Sequence, residues 1–183
     1  MTQDLIDNYE YRCNSNSDIN EHLPTLKRYA EDCEHITEMG VRWVVSTFGF
    51  MMGLPKKLIS YDIDPLENWG INTNDLVDIA YKNGIEFQFK LANTLDLEIE
   101  ETDLLFLDTD HTYQQVKGEL TLHGNKSKKY IIFHDTTTFE FKGMNGDTIG
   151  LWPAIEEFID DNPHWSIAER FYNNNGLTIL KRI

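Results

Sequence analysis

The sequence predicts an α/β fold, with a doubly wound, mainly parallel sheet and a C-terminal antiparallel hairpin. Three observations predict it. Five short apolar runs, at 35–41, 57–64, 86–92, 102–110 and 128–136, are mostly rich in Ile, Leu, Val or Phe and end in acidic or polar residues, as buried parallel strands do. Helix-like stretches lie between them, and strand alternating with helix requires crossovers that place helices on both faces of a sheet. The C-terminal stretch HWSIAERFYNNNGLTILKRI holds two alternating runs separated by Asn-Asn-Asn-Gly, a hairpin signal.

In chain order, residues 1–20 read as a polar lead-in and 21–183 as one domain. The stretch 22–33 is helical in pattern: Leu23, Leu26 and Ala30 share a face, and Pro24 suits a first turn. Residues 46–53 are helix-like. A helix over 72–84 has Thr73 or Asn74 as its cap and Gly84 as its stop. The next, over 111–124, aligns Tyr113, Val116 and Leu120 on one face and can take Asp110 as its cap. Residues 137–150 contain three glycines and two phenylalanines, and read as a mobile loop before a helix over 151–162.

Composition narrows the function. A chain of 183 residues is about one domain long and can bury roughly 70% of the surface its unfolded form exposes. Sixteen basic against 31 acidic residues give a net charge of -15, which repels nucleic acid and anionic membranes. The N-terminus lacks the basic start and apolar core of a signal peptide, and no apolar run approaches the roughly 20 residues of a membrane span. Cys13 and Cys33 form neither a disulfide framework nor a zinc motif. The expectation is a cytoplasmic protein acting on a small molecule, without nucleic acid or membrane; a homo-oligomer is compatible with the sequence.

Ligands of an open parallel sheet bind beyond the carboxyl ends of its strands, so the strand ends carry the candidate chemistry. The first ends in Glu38-Met39-Gly40. Gly40 permits a tight turn, and Ser46 and Thr47 can cap the following helix while their hydroxyls and amides face a ligand carboxylate; an ordinary strand-to-helix turn reads equally well. Asp62 lies about 20 residues beyond Gly40, the spacing of an acid that accepts from a ribose diol, while Asp64, before a proline, shapes the loop. Asn93 either reads an adenine edge or closes a turn. Asp108, Asp110 and His111 follow the fourth run; His134 and Asp135 end the fifth. If those strands are neighbours, Asp108, His134 and Asp135 converge as two carboxylates and an imidazole, able to hold a divalent cation or to act as base. The competing structural reading has Asp110 capping a helix, His111 filling its first turn and Asp135 capping a loop. His22, His35, His123 and His164 read as isolated surface or capping residues, and Trp152, Phe158, Trp165, Phe171 and Tyr172 as core. No GxSxG elbow, P-loop, HExxH or CxxC is present.

The strings SDINEHLPTL, ITEMGVRWVVST, LISYDIDP, DLLFLDTDHTYQQVKGEL, KYIIFHDTTTF and NNNGLTIL together resemble, in that order, the class I S-adenosylmethionine-dependent methyltransferases of the cephalosporin hydroxylase-like and small-molecule O-methyltransferase group. The resemblance runs from residue 17 to nearly the end. It implies a Rossmann-like sheet with a reversed last strand, S-adenosylmethionine over the first two strand ends, and methyl transfer to an oxygen of a small hydroxylated substrate. Glu38 and Gly40 match the first motif, Asp62 the ribose-binding acid and Asn93 the position beside adenine; Ser46, Thr47 and Asp108 complete the implied cofactor set. Asp108, His134 and Asp135 match positions that hold Mg2+ or another divalent cation in metal-dependent relatives, where the second is commonly acidic or an amide neighbour. His134 departs from that pattern. So does Val44, which stands where relatives carry a second glycine and where a branched side chain can block the ligand; a blocked site implies a non-catalytic binding module that keeps the fold.

Overall fold

The computed structural model describes residues 1–144, 146 and 148–183. Seven strands form one sheet: β1 (His35–Met39), β2 (Lys57–Asp62), β3 (Glu86–Leu91), β4 (Thr102–Leu107), β5 (Ser127–His134), β6 (Trp165–Phe171) and β7 (Leu177–Arg182). Their order is β3-β2-β1-β4-β5-β7-β6. Strands β1 to β5 pair in parallel, and β7 runs antiparallel to both β5 and β6. The chain steps outward from β1 to β3, then returns to lay β4 on the other side of β1, which makes the β1/β4 crevice the switch point.

The helices are α1 (Gln3–Asn14), α2 (Leu23–Ala30), α3 (Val45–Met51), α4 (Thr73–Lys82), α5 (Tyr113–His123) and α6 (Trp152–Asp161). Strand β4 shows why the apolar runs lack alternation: Leu104 and Phe106 enter the core with α1–α4, while Leu105 and Leu107 enter the core with α5 and α6. Both faces are covered, so both sets of side chains must be apolar.

The structure departs from the sequence reading at several places. Residues 1–20 contain a 12-residue helix, α1, whose Leu5 is fully buried. Its start is tied to the end of α4: Thr2 N donates to Asn83 Oδ1 at 2.7 Å, and Asn83 Nδ2 donates to Thr2 Oγ1 at 2.9 Å. Helix α4 is capped by Asn72 and α5 by Thr112, whose side chains accept from backbone amides; Asp110 instead accepts from the Thr112 hydroxyl. His22 and His123 are buried, not superficial, each bonded to backbone carbonyls. Within the loop 137–150, Asn145 and Asp147 lie outside the described residues. The rest is tethered: Met144 N donates to His111 O, Tyr113 N to Ile149 O, and Leu151 N to Phe139 O.

The hairpin turn is a structural hub. Asn174, Asn175 and Gly176 all have positive φ, and Asn175 O accepts from both Thr137 N and Thr138 N. No helix among the described residues is long and apolar enough to cross a membrane.

Candidate functional site

A cavity of about 450 Å³ opens at the carboxyl ends of β1, β2, β3 and β4, the place the switch point selects. Five aspartates (18, 62, 64, 108 and 110) line it against one arginine, Arg42, among the described residues. Trp43, Ile63 and Trp69 supply an apolar wall, and the Trp69 indole N–H is buried without a partner.

Glu38, the penultimate residue of β1, does not line this cavity. It is fully buried and accepts from Ser46 Oγ at 2.6 Å, Thr47 Oγ1 at 2.9 Å and Ser60 Oγ at 2.5 Å. Glu38 is therefore a brace tying β1 to β2 and to the start of α3, and the hydroxyls of Ser46 and Thr47 are spent on it. That corrects the expected role of their hydroxyls toward a ligand, although Ser46 still borders the cavity. Burial raises the Glu38 carboxyl to about 7 despite the three hydroxyl donors, which pull the other way.

Gly40 sits at φ +84°, and a Cβ there would collide with the Asp108 carbonyl. The first-motif glycine is required because the β1 turn presses on the end of β4, with Asp108 N donating to Met39 O at 2.8 Å. Val44 adopts φ 56° and ψ 30°, a conformation native to glycine. Its side chain is fully buried in the core and is not part of the cavity wall. The expected obstruction is thus absent; the valine costs backbone strain instead, of order 1–3 kcal/mol.

Asp62 Oδ2 accepts from Val41 N at 2.9 Å and Arg42 N at 3.1 Å, and Oδ1 from Asp64 N at 2.9 Å. The carboxylate shapes the turn after β1 and keeps spare acceptor capacity on Oδ1 at the cavity wall. Asn93 is a turn residue: Oδ1 accepts from Leu95 N at 3.1 Å and Nδ2 donates to Asp96 Oδ2 at 2.9 Å. The turn takes one Nδ2 hydrogen and one Oδ1 lone pair, and leaves one of each on a residue that lines the cavity.

Pairing of β4 with β5 does bring Asp108, His134 and Asp135 together, and adds His111. His134 Nδ1 lies 3.2 Å from Asp108 Oδ1 and 3.4 Å from Asp135 Oδ2, while Nε2 faces the carbonyls of Asp18 at 2.9 Å and Asn174 at 3.3 Å. Carbonyls and carboxylates only accept, so both ring nitrogens must carry protons and His134 is an imidazolium. Burial opposes that charge, but Asp108 and Asp135 overcome it and hold the group well above its ordinary value. His111 Nε2 reaches Asp135 Oδ2 at 2.8 Å and Asp108 Oδ1 at 3.3 Å; burial again works downward, and the two acids raise it to about 9. Burial alone would raise the Asp108 carboxyl, yet the charge of His134 and hydrogen bonds from both histidines keep it far below the usual range. The ring of His111 stacks on Phe139 at 4.7 Å. Asp135 has φ 59°, another left-handed residue at the strand end.

Only Asp108 of this cluster lines the cavity. His134 cannot serve as metal ligand or proton acceptor in this state, which corrects the metal set. Oxygens of Asp108 and Asp135 with a nitrogen of His111 do lie within 4.8 Å of one another. This set does not fit magnesium, an all-oxygen ion, because one donor is nitrogen and both carboxylates already face imidazolium protons. His111, noted after the fourth run but read as filling a helix turn, was left out of the converging set because its part depends on how the loop after β4 folds back toward Asp135.

No family model matches the chain, and no curated protein does. Solved structures match over its whole length. A methyltransferase of Podospora anserina bound to S-adenosylhomocysteine superposes with a TM-score of 0.65 at 14% identity, covering 100% of this chain and 89% of that one. An O-methyltransferase of Bacillus cereus in complex with S-adenosylhomocysteine gives 0.66 at 16%, covering 100% and 92%. A protein of Corynebacterium glutamicum gives 0.71 at 12%, covering 99% and 90%. The chain shares the fold of these methyltransferase structures.

Proposed function

We propose that this protein is an S-adenosylmethionine-dependent methyltransferase acting on an oxygen of a small hydroxylated substrate. The observation that carries the reading is the acid-walled cavity at the switch point of this sheet. S-adenosylmethionine bears a sulfonium and an ammonium against one carboxylate, a net cation suited to five aspartates and one arginine. The residues fit that group: Oδ1 of Asp62 retains acceptor capacity toward a ribose, Trp69 offers an unpaired indole N–H, and the apolar wall can cover a base.

When bound, S-adenosylmethionine supplies an electrophilic methyl group on sulfur. The chain's own part is to hold an acceptor hydroxyl in line with it. Asp108, kept anionic by His111 and His134, faces the cavity and accepts that hydroxyl's hydrogen bond, orienting the oxygen and giving its proton a path by way of the carboxylate to solvent once the oxygen is methylated. Asp135 fixes His111 and His134 from behind. The tethered segment around Met144 narrows the opening and excludes water.

Titration calorimetry with S-adenosylmethionine and S-adenosylhomocysteine tests this reading. Saturable 1:1 binding is expected, and no detectable binding to folded protein at millimolar ligand would sink it. A second reading, a non-catalytic binding module that keeps the fold, draws support from the commitment of Asp62 to backbone amides. It expects binding of neither nucleoside by the folded wild type.

A further inference from the structure

We propose that Gln115 reads the 6-amino group of the base of the bound nucleoside, so that the cavity selects a 6-aminopurine. This rests on the cofactor reading above.

The basis is a buried polar network on the side of the cavity nearest β3. Glu119 of α5 is fully buried and accepts from Thr94 Oγ1 at 2.6 Å, from Thr109 Oγ1 at 2.9 and 3.0 Å, and from Gln115 Nε2 at 2.9 Å. Gln115 Nε2 also donates to Thr94 Oγ1 at 3.1 Å. The single hydroxyl proton of Thr94 goes to Glu119, so its oxygen can only accept from Gln115, and this settles which end of the amide is nitrogen. His123, meeting Thr94 O at 2.8 Å, pins the backbone of the same residue.

Both Nε2 hydrogens are thereby used inside the protein. The carbonyl oxygen Oε1 accepts no hydrogen bond from the described residues, and Gln115 lines the cavity half-buried. A ribose held by Asp62 at the end of β2 projects its base toward the end of β3 and the first turn of α5, where Asn93, Thr94 and Gln115 lie. Asn93 lies at the same end of the cavity and keeps one Nδ2 hydrogen and one Oδ1 lone pair beyond its turn; Gln115 differs in that both its Nε2 hydrogens are committed inside the protein, which fixes its carbonyl as the acceptor. An exocyclic amine satisfies the Gln115 carbonyl; a 6-oxo group sets two acceptors face to face. Glu119 is a positioning residue that acts by orienting Gln115.

The test is calorimetry on the full chain with S-adenosylhomocysteine and its 6-oxo analogue, S-inosylhomocysteine. Wild type is expected to bind the adenosyl compound roughly 30-fold more tightly, as an unpaired buried acceptor implies. Gln115→Met and Gln115→Leu should both lower that ratio to less than about 5-fold while circular dichroism shows the fold intact. A ratio near one in the wild type, or an unchanged ratio in both variants, overturns the assignment while leaving the cofactor reading standing. Absence of binding by either compound to folded wild type overturns the cofactor reading, and this assignment with it.

Discussion

At the scale of single residues, Val44 and Glu38 show how position and role separate. Val44 has the backbone of a glycine and the burial of a core valine. Replacing it by glycine relieves about 1–3 kcal/mol of strain and loses about 1.5–3 kcal/mol of side-chain burial. The expected outcome for Val44→Gly is therefore a small shift in melting temperature, and an affinity for S-adenosylhomocysteine within about 3-fold of wild type, because the side chain points away from the cavity. A gain of tenfold or more would show that the valine obstructs the site. Glu38 makes a different prediction. Its folded value of about 7 lies above its ordinary value of 4.5. Between those limits the folded state holds a proton that the unfolded state has lost, so this group's contribution to stability falls as pH rises from about 4.5 to about 7, by on the order of 3 kcal/mol. Denaturation curves across that window should be flatter for Glu38→Gln than for wild type; equal slopes would contradict the assignment.

Among the elements, the parallel strands were legible because burial on both faces leaves an uninterrupted apolar signature, as in Leu104–Leu107 of β4. Helix α1 was not. Its surface is mostly polar, and the few apolar side chains that hold it, Leu5 and part of Tyr9, acquire meaning only once the core beneath them exists. If α1 is an integral part of the fold, Leu5→Ala should cost about 2–5 kcal/mol in urea denaturation, as for a buried core leucine. A loss below about 0.5 kcal/mol, typical of a surface change, would show the helix to be dispensable. The caps of α4 and α5 fell one or two residues from their expected positions, because several adjacent Asn, Asp and Thr side chains could each accept a backbone amide. The site was legible to a similar depth. Asp62, Asp108 and Asp135 announce themselves as acids at strand ends, but the recruitment of His111, the protonation of both His134 nitrogens and the Gln115–Glu119 network depend on loop and helix placements that spacing alone does not carry.

For the molecule as a whole, the cavity wall shares the acidic balance of the chain, with five aspartates against one arginine among the described residues. Binding of S-adenosylmethionine should weaken as ionic strength rises, whereas the neutral thioether of S-adenosylhomocysteine, which leaves it without net charge, should make its binding less salt-sensitive. Equal salt dependence for the two would remove the electrostatic part of the account. The two imidazole groups already neutralise Asp108 and Asp135, so millimolar magnesium should leave the melting temperature unchanged, and a rise of several degrees would reveal a built magnesium site. The measurement that bears most directly on the central claim is calorimetric titration of the folded chain with S-adenosylhomocysteine. One site per chain, weakened at least about tenfold by Asp62→Ala, is the expected result; no heat of binding at millimolar ligand, from protein whose cooperative melting shows it folded, would contradict it.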